Sequence, residues 1–324
     1  MKSTALLISA LAAVCAVPFF GSDYAISFSI QLFMFISLAY SWNLIGGYAG
    51  YTHFGQVSFF GVGAYTGALL MLEAGWHWIP SALVAGVCGA ALALPLGGAM
   101  LRLKGPFFAI GMFGLTRVWE SLALEFDGIT QGGTGLYLTP LDDQRLLYFA
   151  MAAVAFVSLL LTWLIDNSRF GLKLLAIREE ETAAEALGIR TTRLKIGAFV
   201  VSAVAPAIVG SLYATYLSFI DPMTAFAPMT ELTTIAMVLL GGMGTVAGPL
   251  VGAVVMSIVN ELLWSRFPEV YLALIGLVIL FAVLCMPRGI ANFTARKGWG
   301  WLPTNRSLLR SLAAKSREGL QAHG

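Results

Sequence analysis

Residues 26–45 read ISFSIQLFMFISLAYSWNLI, twenty positions in a row without a charged side chain. An α-helix of that length crosses the ~30 Å hydrocarbon layer of a bilayer. Similar stretches lie at 4–20, 57–72, 79–101, 107–124, 146–165, 196–217, 231–240, 246–264 and 270–286. The runs are continuously apolar and lack the two-residue alternation of a membrane barrel. Composition agrees: of 324 residues, 58% are hydrophobic and 11% charged, less than half of the ~25% charge of a soluble domain. Mean hydropathy is +0.83. The expected fold is all-α, a polytopic transmembrane helical bundle of eight to ten segments, several of them short or broken. The membrane domain spans 1–290, and a basic tail, 291–324, follows it.

Basic residues set the expected orientation. If every segment crosses and the N-terminus is cytoplasmic, Arg102, Lys104, Arg169, Lys173, Arg178, Arg190, Arg193, Lys195 and the tail's basic residues share the cytoplasmic side. The other face keeps only Arg145 and Arg266, beside many acidic residues. Both termini are expected to be cytoplasmic, with residues 4–20 retained as a span rather than removed as a signal.

Enzyme chemistry finds no support. The chain has no G-x-x-x-x-G-K-[ST] loop for a nucleotide, no H-E-x-x-H, no G-x-S-x-G, and three scattered histidines, His53, His77 and His323. No metal, resident cofactor or nucleic-acid partner is expected. Passage of a solute is the remaining task.

Two glycine-rich stretches interrupt the pattern. In the first, Gly46, Gly47 and Gly50 precede a run with Gln56, Ser58, Thr66 and the pair Gly63 and Gly67. Such a run makes either a tight helix seam or a broken helix lining a polar path, with Asn43, Gln56, Ser58 and Thr66 on it. In the second, Gly241, Gly242 and Gly244 follow the run 231–240, which at ~15 Å is too short to span. It is either a half-helix or a span extended into its flanks. Gly244, Gly248 and Gly252 recur every fourth residue and predict a small-residue stripe on the next helix. Within the span 107–124, Arg117 lies near mid-bilayer, and Glu120, three residues on, is placed to pair with it. The two are either a self-neutralised pair at the subunit interface or part of the solute path, where Arg117 favours a solute bearing a carboxylate.

The longest polar stretch, 166–195, carries a predicted helix over 176–188, capped at Gly188. Leu175, Ala183, Ala186 and Leu187 make its expected apolar face. It is either a solvated loop or an element that docks on a partner.

The motifs Asn43–Gly50, Phe59–Thr66, Thr130–Leu136, Arg178–Gly188, Leu239–Thr245 and Met286–Gly289, taken in order, resemble the LivM-type permease subunit of branched-chain amino-acid ABC importers. That resemblance implies an inner-membrane permease paired with a LivH-type sister permease, two ABC ATPase subunits that bind the ATP, and a periplasmic substrate-binding protein. It implies that 176–188 contacts the ATPase, with Glu185 and Gly188 at the dock and Arg178 and Glu181 at its rim. Tyr51-Thr52-His53 depart from the family's usual Gln-Leu-Ser, and Arg117 stands where a carboxylate is common. Relatives that carry urea or short amides make an alternative reading. An ion-coupled secondary transporter is a further one.

Overall fold

The computed structural model describes residues 22–267, except 104 and 142, with scattered residues on either side. The expected span 4–20, most of 270–286 and the tail 291–324 lie outside the described residues. Between them the chain is helical almost throughout.

Helix α1 (Asp23–Asn43) is capped by Ser22, whose hydroxyl accepts from the Ala25 N–H at 3.3 Å. It runs on into a π-helical turn, Leu44–Tyr48. Then come α2 (Gln56–Leu72), α3 (Trp78–Met100), α4 (Pro106–Glu125), a short α5 (Asp127–Thr130) and α6 (Arg145–Asp166). After these follow α7 (Arg169–Glu179), α8 (Glu181–Ala186), α9 (Thr191–Leu217), α10 (Pro222–Ala225), α11 (Pro228–Gly241) and α12 (Gly248–Arg266). Among the described residues, seven segments are long and apolar enough to cross a membrane, and α2 is a shorter apolar helix. The all-α polytopic bundle is therefore the fold. Two short strands, β1 (Leu136–Tyr137) and β2 (Phe219–Ile220), pair antiparallel at one end and pin the α5 loop to the end of α9. The other end carries α7 and α8.

Helix α9 sits at the centre, packed against α3, α2, α1 and α6. The seam with α2 has almost no room. A Cβ on Gly63 would lie 2.1 Å from the Ala207 carbonyl oxygen, and one on Gly67 would lie 1.9 Å from Ser211 Oγ. Gly63 and Gly67 thus serve helix packing. Helix α4 lies at the edge and exposes Phe107, Ile110, Phe113 and Val118. In lipid such a surface carries no penalty.

Two expectations need correction. The predicted single helix 176–188 is two helices, because Glu180 is extended (φ −160°, ψ 108°) and caps α8 itself, accepting from the Thr182 N–H and hydroxyl. Gly188 does end the element, in the left-handed region at φ +80°. The face turned into the protein consists of Leu174, Ile177 and Ala184; of the expected apolar face, Ala183, Ala186 and Leu187 are exposed, which either expected reading of the element allows. The second correction concerns the glycine stripe. Gly248 and Gly252 pack on α11, but Gly244 sits in the turn before α12 and faces Gly47 instead.

Candidate functional site

Depth within the bundle follows from helical rise. Residues 23–48 form one ~39 Å rod at 1.5 Å per residue, so Leu38 stands about 4 Å from its middle. The Gln56 side chain donates to the Leu38 carbonyl at 2.7 Å. Helix α2 therefore starts near mid-depth, reached by the extended segment 50–55 that returns from the end of α1. Helix α11 also begins at that level: Glu231, in its first turn, accepts from the Val57 N–H at 2.8 Å. The run 231–240 is thus the body of the 14-residue α11, which starts at Pro228. With the α10 turn before it, α11 makes up the apolar segment Pro222–Gly241, one of the seven, so the run is extended into its N-terminal flank. Irregular backbone at depth survives only when protein satisfies its polar groups. Trp42 Nε1 donates to the His53 carbonyl, and Arg117 Nη2 to the Phe226 carbonyl at the α10–α11 junction.

The two glycine breaks meet. Asn43, fully buried, donates through Nδ2 to the Thr245 carbonyl at 3.1 Å and accepts at Oδ1 from the Gly244 N–H at 2.8 Å. One carboxamide thereby joins backbone more than two hundred residues away. Contact is that close because Gly47 has no side chain: a Cβ there would lie 2.0 Å from Asn43 Oδ1 and 2.5 Å from the Gly244 nitrogen. Gly46 and Gly47 do not end the helix, as expected of a break; they widen it into the π turn. The chain turns at Gly50, where φ is +79°. Gly241, Gly242 and Gly244 end α11 as expected, the last two at φ +119° and +68°.

Helices α7 and α8 connect to this joint through two side chains. Arg178 Nη1 donates to the Gly47 carbonyl at 2.6 Å. Glu181 Oε1 accepts from Lys195 Nζ at 2.6 Å, and its Oε2 accepts from the Tyr51 hydroxyl at 2.7 Å. Lys195 Nζ also donates to the Tyr51 oxygen at 2.8 Å. Burial first, and the Glu181 bond after it, push the Tyr51 hydroxyl above its usual range. So Arg178 and Glu181, expected at the rim of the dock, also tie the segment to the bundle. Glu185 accepts from the Thr191 hydroxyl at 2.6 Å, and Gly188 is open to solvent. Tyr51, one of the departures from the family pattern, is the residue that sequence reasoning left without a task.

The four polar residues expected on one path are distributed. Asn43 belongs to the glycine joint and Gln56 to the mid-depth end of α2. Ser58 shares a 2.7 Å hydrogen bond with Thr116 of α4. Thr66 turns back to the Val62 carbonyl of its own helix. Arg117 and Glu120 are paired, and the Arg117 guanidinium lies 5.6 Å from the Phe113 ring centre. Its added partner, the Phe226 carbonyl, ties α4 to the α10–α11 junction. Glu231, absent from the expected site, is the mid-depth residue with the most unusual setting. A carboxylate in the first turn of a short apolar run was the available signal. Among the described residues, no cluster of His, Cys, Asp or Glu could hold a metal.

Comparison with known proteins gives a consistent answer. The family described as branched-chain amino acid transport system / permease component matches residues 24–283. The high-affinity branched-chain amino acid transport system permease proteins LivM of Salmonella typhimurium and of Escherichia coli K12 are each 27% identical over 91% of this chain and 76% of their own length. The autoinducer 2 import system permease protein LsrC of Yersinia pseudotuberculosis is 27% identical over 69% of this chain and 67% of its own. No solved structure matches the chain.

Proposed function

The chain belongs to the permease family of branched-chain amino acid transport systems, and from that premise we propose that it is one half of the membrane pathway of an ABC importer for branched-chain or related amino acids. Its LivH-type sister permease supplies the other half. Two ABC ATPase subunits bind and hydrolyse the ATP, and a periplasmic binding protein delivers the solute. The end bearing α7 and α8 faces the cytoplasm of a bacterial inner membrane, as do both termini.

The observation that carries this reading is the linkage from α8 to the glycine joint. Leu187 is 81% exposed, and with Ala183, Ala186, Glu185 and Gly188 it offers a small apolar surface to an ATPase. On the inner side of the same element, Glu181 is held by Lys195 of the central helix and by Tyr51 of the returning segment. One turn earlier Arg178 is held by Gly47. A displacement of α8 therefore bears on α9, on the π turn of α1 and, through Asn43, on the end of α11. Such a set of paired polar contacts has discrete arrangements rather than a continuum, which is what a transmitted switch requires.

The test is uptake in proteoliposomes that contain this chain, the sister permease and the ATPases, with the cognate binding protein outside. ATP-dependent accumulation of leucine, isoleucine or valine supports the reading. Accumulation of urea or short amides instead replaces the substrate class and keeps the importer. Uptake driven by an ion gradient without ATP overturns the importer. Glu185→Lys is expected to abolish ATP-coupled uptake while the protein remains inserted.

A further inference from the structure

Glu231 has no part in the linkage from α8, and its surroundings are chemically specific. Helix α2 starts at mid-depth behind Gly55, which has no side chain to cap it. The cap arrives from α11: Glu231 Oε2 accepts from the Val57 N–H at 2.8 Å, beside the N–H of Gln56, the first residue of α2. Since Glu231 also lies in the first turn of its own helix, the carboxylate faces the positive ends of two helices. A helix end of this kind takes a carboxylate readily.

The second feature is independent of the first. Glu231 is 4% exposed and Gln56 3%, yet Glu231 Oε1 and Gln56 Oε1 both lack a hydrogen-bond donor. The Gln56 carboxamide has committed its nitrogen to the Leu38 carbonyl. An acceptor left bare in a buried site costs about 1–3 kcal/mol, and here two of them belong to one helix end. Backbone N–H groups suited to a carboxylate thus stand beside acceptor oxygens in need of a cationic donor. Together they match the two ends of a zwitterion. One turn along α11 from Glu231, Ile235 and then Val238 form an apolar cluster with Ala39 and Trp42 of α1, which suits an aliphatic side chain.

We propose that the mid-depth junction of α2 and α11 is a binding site for a zwitterionic α-amino acid, with Glu231 as the resting occupant of its carboxylate position. This rests on the amino-acid reading of the function given above. When α11 moves away from α2, the solute's carboxylate takes the N–H groups of Val57 and Gln56. The displaced Glu231 carboxylate and Gln56 Oε1 then accept from its ammonium group. A zwitterion adds no net charge, so the exchange leaves the junction's charge unchanged.

The probes are leucine, N-acetylleucine, which lacks the ammonium, and leucine methyl ester, which lacks the carboxylate. Each is titrated into the purified permease pair with its ATPase subunits, without the binding protein, and the unfolding midpoint is read. Leucine is expected to raise the midpoint and neither analogue to do so. Glu231→Gln keeps an acceptor for the Val57 N–H but removes the charge, and Gln56→Met removes the bare oxygen at similar volume. Both are expected to lose the leucine shift and most of the uptake in proteoliposomes. Glu261→Gln, whose parent residue pairs with Tyr24 at the outer edge, keeps both. No shift with any probe, an equal shift with all three, or a leucine shift that survives in both variants overturns the site. If Glu231→Gln fails to assemble, Gln56→Met decides alone. Failure of the amino-acid reading shows separately, as wild-type uptake of urea or amides without leucine.

Discussion

The two glycine-rich breaks differ in how they are held together. The first, from the π turn to Gly55, is secured by side chains: Trp42 to the His53 carbonyl, Tyr51 to Glu181, Asn43 to the second break. The second has side-chain bonds as well, from Thr245 to the Gly242 carbonyl and the Gly248 N–H and from Tyr40 to the Val246 carbonyl, but its glycines also pack directly on backbone. A Cβ on Gly241 would lie 1.9 Å from the Gly248 oxygen, one on Gly248 would lie 2.1 Å from the Gly242 oxygen, and one on Gly252 would lie 1.8 Å from the Met237 oxygen. Side chains can be re-paired by a rotation, whereas glycine-on-glycine packing tolerates little change of any kind. The first break is thus built to be acted upon, and the second to be a rigid corner that follows it.

Four substitutions break or sharpen that contrast. The largest effect is expected from Glu181→Ala, which takes the countercharge from Lys195, whose side chain is 4% exposed, and leaves it the Tyr51 oxygen alone. Removal of one partner from a buried pair costs about 3–5 kcal/mol, and the Tyr51 hydroxyl loses its acceptor as well. The midpoint of denaturant unfolding in detergent should fall accordingly; an unchanged midpoint would show that the first break does not depend on this triad.

Asn43→Ala comes next. It leaves the Gly244 N–H and the Thr245 carbonyl without partners, at about 1–3 kcal/mol for each group left unsatisfied. Cysteine cross-linking between the two breaks should become less specific, because the one side chain that spans them is gone.

Gly241→Ala tests the rigid corner and is expected to cost about 1–3 kcal/mol through overpacking. If Gly241→Ala proves neutral while Asn43→Ala does not, the second break is as adjustable as the first and the contrast fails.

The smallest stability effect belongs to Leu187→Asp. A side chain this exposed should change stability by less than about 0.5 kcal/mol, yet stimulation of the ATPase by loaded binding protein should drop sharply. Intact stimulation would mean that the exposed face of α8 is not where the ATPase touches.

Much of this was legible from residue order. Twenty uncharged residues at 26–45 leave a helix across lipid as the only structure that satisfies every backbone group, and the same logic places most other spans. Gly50, Gly242 and Gly244 stand where the chain indeed turns, since a positive φ is cheap only without a Cβ. Gly188 marked the end of α8 for the same reason. The joint itself was not legible. Asn43 in the sequence is a polar residue at the end of a span, and nothing local ties it to Gly244. The contacts of Arg178 and Glu181 with the bundle were hidden for a related reason: the extended Glu180 sets which face of the segment meets the bundle.

By itself, then, the sequence determined what depends on local physics: which segments enter the membrane and where the backbone is free to turn. Tertiary structure alone decided what depends on long-range closure. It set α2 and α11 to begin at the same depth, brought a carboxylate from residue 231 to the end of a helix that starts at 56, and joined the two breaks through one carboxamide. Hydrophobic periodicity reports what a helix must avoid, which is water. It is silent on which buried polar group answers which, because a hydrogen bond between distant residues is set by the packing of the whole bundle.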